Sequence, residues 1–264
     1  MNPTRIILAN LIIFIFAHAF ELGGAEALIE KTQQKRAKQL TEDSKDFFLS
    51  ADYTKNNTVS TILFGQKELE LSEPLIRLNS PDVLLLRFDD LDGGLKDYGY
   101  TLELRQADWS PSELDPFEYL EGFPHERIYD YEHSFNTRVG YTHYRLEIPN
   151  SQMRPRLAGN YLLIVYENGN PEDVVFTRRM MVLDQQVRIE ASASMADLIQ
   201  FRDTHQQIRF QVDVSALRVA NPFHEIKTTI VQNQRRDNAI SQLPPRGVTG
   251  NLLIYDYEVE SLFA

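Results

Sequence analysis

The sequence has no cysteine, and that absence removes disulfide frameworks, thiolate zinc sites, thiol nucleophiles and a cysteine-linked lipid anchor together. It is also short of positive charge, with 27 Lys and Arg against 38 Asp and Glu and a formal net charge of −11. That balance opposes sequence-independent nucleic-acid binding, because neutralising phosphates takes a basic surface. No G-x-S-x-G elbow, Walker A loop, G-x-G-x-x-G fingerprint or H-E-x-x-H pair occurs. Nucleophilic hydrolysis, nucleotide binding and zinc proteolysis therefore lack their usual anchors. His125, His133, His143, His205 and His224 are scattered without metal-ligand spacing, and Trp109 is the single tryptophan. What is present is apolar material: 42% of the 264 residues are hydrophobic and 11% aromatic, ample for real cores in one large or two modest domains.

The clearest signal of address lies at the start. A short basic opening, "MNPTR", precedes the apolar run "IILANLIIFIFAHAF", and Ala17 and Ala19 are the small residues a signal peptidase reads. The run is shorter than the roughly 20 residues that span a bilayer. The reading is a cleaved secretory signal over residues 1–19, with a second site at Ala25-Glu26-Ala27 and an uncleaved anchor as the alternative. The mature protein is then expected to carry no membrane span. Residues 20–50 follow as a solvated tether, rich in Glu, Lys and Gln from residue 26 on.

Beyond the tether the pattern becomes short apolar or alternating runs punctuated by Gly, Pro, Asn and Asp, which predicts an all-β fold. "VLLLRF" (83–88) and "YGYTLELRQADW" (98–109) read as strands, the second with Tyr98, Tyr100, Leu102 and Leu104 on one face. "SPSEL" (110–114) offers Ser, Pro and Glu at the spacing of a single capped helical turn. "YTHYRLEIP" alternates through Thr142, Tyr144, Leu146 and Ile148. "NYLLIVYENGNPEDVVFTRRMMVLD" reads as a hairpin about Asn168-Gly169, a dipeptide that tolerates positive φ. After Asp184 a second β set begins, with Ile208, Phe210, Val212 and Val214 alternating. The domain division is thus 51–184 and 185–264. The second shows about four strands, short of the roughly seven of an immunoglobulin-like sandwich. Charge differs along the chain: residues 82–132 hold 14 acidic and 4 basic side chains, residues 201–246 hold 4 and 7. The alternatives are ordinary solvated faces and an interaction surface of defined polarity.

Candidate chemistry centres on "LLLRFDDLDGG" (84–94). Counted from Asp90, an EF-hand frame puts Leu95 where glycine is required and Thr101 where the bidentate glutamate belongs, so that motif fails. A calcium site of another type would draw on Asp89, Asp90, Asp92 and Asp97, against the plainer reading of an Asp- and Gly-rich hairpin loop. Trp109 covers a core edge or forms a sugar-stacking platform. Tyr119, Phe123, Tyr129, Tyr131, Phe135, Tyr141 and Tyr144 make 117–144 unusually aromatic, and core and loop packing is the expected use of most of them. No pair of carboxylates is singled out for glycosidase chemistry.

The succession "PLIRLNSPDVLLLRFDDLDGGLKDYGYTLELRQADWSPSELDPFEYLEGF", "YTHYRLEIPNSQMRPRLAGNYLLIVYENG", "FTRRMMVLD" and "FRDTHQQIRFQVDVSALRVANPFHEIKTTIVQNQRRDNAI" resembles, in order over roughly 54–257, the type IX secretion system plug protein family of Bacteroidetes. The resemblance implies tandem immunoglobulin-like β-sandwich domains, the second incomplete here because members are usually longer. It implies a non-enzymatic periplasmic protein that closes the periplasmic opening of the outer-membrane translocon barrel, its partner. No catalytic, cofactor-binding or metal residues carry over from the family. A carbohydrate-binding or surface-assembly sandwich is the other reading, resting on Trp109 and the aromatic segment.

Overall fold

The computed structural model describes residues 52–55, 58–69, 71–233, 235–257 and 262–263, with 235–237 and 262–263 as backbone. The predicted signal peptide (1–19) and tether (20–50) lie outside the described residues. In chain order the strands up to Asp184 are β1 (Tyr53–Thr54), β2 (Val59–Gln66), β3 (Leu75–Arg77), β4 (Leu84–Asp90), β5 (Tyr98–Arg105), β6 (Leu120–Gly122), β7 (Glu126–Arg127), β8 (Asp130–His133), β9 (Thr142–Ile148), β10 (Met153–Pro155), β11 (Gly159–Glu167) and β12 (Val174–Leu183). After it come β13 (Arg188–Met195), β14 (Gln206–Asp213), β15 (Thr228–Gln232), β16 (Arg235–Leu243), β17 (Gly247–Thr249), β18 (Leu252–Asp256) and β19 (Leu262–Phe263). The fold is all-β and of β-sandwich type, as the alternation predicts.

One sheet runs β1-β12-β11-β5-β7, with β3 added parallel to β12; the other runs β2-β4-β9-β8. Both bury an inward stripe at period two. Leu84, Leu86 and Phe88 on β4 face Tyr144, Leu146 and Ile148 of β9 across the ladder's inner side, and all are buried. Phe88 and Tyr144 come from one sheet, Tyr98 and Phe176 from the other. Phe88 stacks on Tyr144 at 5.1 Å and meets Tyr98 and Phe176 edge-on at 5.2 and 5.1 Å. Each such aromatic pair is worth about 0.5–1.5 kcal/mol beyond its burial, so this cluster is a main fastening between the sheets.

Two local expectations change. The Asp- and Gly-rich segment is no hairpin, because β4 and β5 belong to different sheets and residues 91–97 carry the chain from one to the other. The helical turn lies at Pro116–Tyr119, its cap five residues beyond Ser110, where Asp115 caps Phe117 N–H and Glu118 reaches back to the Asp115 N–H. Ser110 is committed elsewhere: its hydroxyl and N–H both donate to Asp108. The Asn168-Gly169 hairpin forms as expected, with φ of 59° and 66° at the two positions.

Beyond Asp184, a five-stranded sheet (β13-β14-β18-β17, with β19 also on β14) accompanies the β15–β16 ribbon. Its core gathers Phe210, Val212, Val214, Leu243, Leu253, Tyr255 and Tyr257, with Phe210 stacked on Tyr255 at 4.4 Å. Seven strands stand here among the described residues, more than the four visible in the sequence. β13 was hidden because the stripe of "RIEASASM", Ile189, Ala191, Ala193 and Met195, is half alanine, a weak strand former, and the strand is exposed along its whole length. Among the described residues no sheet draws strands from both sides of Asp184.

Candidate functional site

The aspartate run resolves once β4 is followed to its end. Asp90 continues the inward stripe of Leu84, Leu86 and Phe88, so its carboxylate is fully buried. A buried charge persists only when paired and hydrogen-bonded, and here it is both. Lys96 Nζ lies 3.1 Å away, the Tyr98 hydroxyl donates at 3.1 Å and the Asp92 N–H at 3.0 Å. Lys96 also donates to Asp92 at 2.7 Å, while its backbone N–H donates to the Tyr144 hydroxyl at 2.9 Å. Burial opposes the ammonium, yet its bonds to Asp92 and Asp90 hold the Lys96 pKa above the ordinary value. Burial first, and the Asp90 charge second, push the Tyr98 phenol up. Asp89 turns to the other side of the strand, 2.7 Å from His143 Nδ1, and Asp97 pairs with Arg127 at 3.3 Å. The four aspartates thus face three different cations or imidazoles instead of converging, and Lys96 occupies the position a bound cation would take between Asp90 and Asp92. The segment is a brace that fixes the crossing between sheets.

That crossing runs beside the segment that closes the sandwich. β7 is the last strand of the larger sheet and β8 the last of the smaller, and only Ile128 and Tyr129 lie between them. The chain therefore passes directly from one sheet edge to the other and makes a single flank. Ile128 is buried, whereas Tyr129 is 73% exposed, Phe123 62% and Phe135 94%. Tyr131 is partly exposed and leans on Tyr144 at 6.0 Å and His133 at 5.5 Å. Of the seven aromatics expected to pack, Tyr119 and Tyr144 do, while Phe123, Tyr129, Tyr131 and Phe135 stand on the surface. Their positions next to edge strands explain this: the last strand of a sheet has no neighbour to cover its outer side. The sequence signal was present in part, in that Glu126, Asp130 and Glu132 interleave with the rings and so limit how many of them one buried face can take.

The flank is acidic. Residues 113–133 hold seven Asp and Glu against Arg127. Asp130 and Glu132 share Arg145, at 3.3 and 2.5 Å, so two carboxylates face one guanidinium. A cleft of about 310 Å³ is lined by Asp97, Gly99, His125, Glu126, Arg127, Tyr129 and Tyr166. Gly99 makes room for the Tyr166 ring, which a Cβ there would meet at 2.3 Å; the Tyr166 hydroxyl lies 3.3 Å from His125 Nδ1.

Trp109 stands apart from the flank residues in sequence and in role. It closes a turn at φ 69°, and the Arg179 guanidinium lies 4.6 Å over its ring, covering one face. A sugar stacked on that face would have to displace the arginine. Among the described residues no group of three or more His, Asp or Glu is placed to hold a metal ion, and no helix is long and apolar enough to cross a membrane.

The first domain is thus a β-sandwich with a buried polar brace and an exposed aromatic edge. Comparison with known proteins narrows the class. Residues 59–184 match the family model described as "Type 9 secretion system plug protein 1st domain". A solved structure, a hypothetical protein from Parabacteroides merdae, is similar at 31% identity with a TM-score of 0.76, over 81% of this chain. The chain spans about half, 54%, of that relative. No curated protein matches. The family is a secretion-system component, and a role connected with type IX secretion follows from the match.

Proposed function

We propose that this protein is a non-enzymatic periplasmic component of the type IX secretion system that plugs the periplasmic opening of the outer-membrane translocon barrel. The observation that carries the reading is the family match over residues 59–184, which takes in both sheets of the first sandwich and the exposed aromatic flank. In this reading residues 1–19 are the export signal, 20–50 the tether, 51–184 the first domain and 185–264 the second. A plug must be stiff and must present a large surface. Interlocked aromatics between the sheets supply the first property, and a sandwich edge bearing uncovered rings supplies the second. The barrel is the protein partner, reached without any membrane span of the mature chain.

The test is reconstitution. The translocon barrel, purified in detergent and inserted in a planar bilayer, should lose conductance when the full chain is added on the periplasmic side, and the two should co-purify from envelopes. Unchanged conductance together with absence of the barrel from the purified material would overturn the reading.

A further inference from the structure

We infer that the flank carrying Phe123, Tyr129, Tyr131 and Phe135 binds an extended, arginine- or lysine-bearing segment of a protein partner along the free edge of β8. The inference rests on the plug reading in naming the chemistry of the contact with the translocon. β8 ends its sheet, so its outer backbone groups have no strand partner among the described residues and can take up another strand. Exposed edges invite self-pairing, but every copy of this chain carries the same acidic side chains there, Asp130 and Glu132 in the strand with Glu121 and Glu126 before it. Like charges set opposite one another repel, which disfavours a second copy, whereas a cationic strand is drawn in. Arg145 leaves part of the charge of Asp130 and Glu132 uncompensated. The rings add selectivity of their own, because a guanidinium or ammonium is attracted to the face of a tyrosine or phenylalanine. Along β8 acid and aromatic alternate between the two faces, Asp130 and Glu132 on the side of Arg145 and Tyr131 on the side of Tyr144, so an added strand alternating basic and apolar residues fits both.

The experiment uses the full chain and three synthetic peptides of equal length, alternating valine with arginine, serine or glutamate, followed by fluorescence anisotropy at low and high salt. The arginine peptide should bind at least about tenfold more tightly than the glutamate peptide, and high salt should weaken it severalfold. Phe123→Ser with Tyr129→Ser should abolish that preference while the melting temperature holds, since both rings are exposed. Glu121→Lys with Glu126→Lys should invert the preference, and serves equally if the first pair fails to fold. Equal binding of the arginine and glutamate peptides, no binding of any, or an unaltered preference in both folded variants would overturn the inference. No barrel is present in this assay. Its failure alongside a successful reconstitution removes only the basic-segment inference, and the reverse result removes only the plug.

Discussion

At the scale of single residues, Asp90 is the position where sequence and structure part most instructively. An alternation of Leu84, Leu86 and Phe88 predicts that the next inward residue is also buried, yet an aspartate there reads as the first residue of a loop until Lys96 and Tyr98 are seen to meet it. Their approach depends on a crossing between sheets that no local pattern reveals. Asp90→Ala leaves Lys96 with Asp92 and the more distant Glu167, 4.0 Å away, and the Tyr98 hydroxyl without its acceptor. The expected loss is about 2–4 kcal/mol, read as a shift in urea midpoint. Asp82 offers a contrast on the surface. The Arg77 side chain, and then its backbone N–H, hold the Asp82 carboxyl well below the usual carboxylate range. A depressed value means that the unfolded chain takes up the proton first as the solution is acidified. The stabilisation is therefore complete above about pH 4, the unfolded value, and is lost as pH falls below it. Melting curves of Asp82→Asn and the parent protein should differ near neutrality and converge in acid; a constant gap would contradict the assignment.

At the scale of elements, turn chemistry was legible and its exact place less so. Asn168-Gly169 announced its hairpin because positive φ at two successive positions admits few residues. Asn168→Ala or Gly169→Ala is expected to cost about 1 kcal/mol each, measured by thermal or urea unfolding. The capped turn was sought at Ser110 and found at Asp115, since both stretches carry the same signature and only the neighbouring Asp108 decides between them. Glycines divide sharply. Gly122 sits at φ 99° where β6 pairs with β10, and a Cβ would fall 1.9 Å from the Gln152 carbonyl oxygen. Gly94 sits at φ 73° with open space around it. Gly94→Ala should cost on the order of 1 kcal/mol, the conformational penalty alone. Gly122→Ala should cost several times that, about 3 kcal/mol or more, because backbone must move. Equal losses for the two would refute the close approach of β6 and β10.

At the scale of the whole molecule, fold class and the first sandwich's core followed from period-two burial, while sheet membership did not. β4 and β5 are adjacent in sequence but sit in opposing sheets, and the stripe of β13 is half alanine and exposed, too weak to announce a strand. The flank was legible only in part: its aromatic density was plain, but burial was the expectation and exposure the outcome. The tyrosines have a collective consequence. Tyr98, Tyr100, Tyr119, Tyr144, Tyr161, Tyr166 and Tyr255 are all pushed upward by burial, which disfavours the phenolate. The unfolded chain ionises these groups near pH 10. Stability should be intact below about pH 10 and fall as pH rises beyond it, with phenolate absorbance appearing together with loss of structure. Gradual ionisation of these groups in a fully folded protein would show that the core is looser than described. A last consequence is mechanical. β1 lies antiparallel to β12, with Tyr53 opposite Thr177, so the chain arrives at the first sandwich and departs from it at the same pole. Tension applied through those two connections loads the two-residue β1 ladder as a zipper, one bond after another. Force transmitted along the polypeptide would peel β1 away at low load and leave the interlocked sheets, and the flank they display, intact.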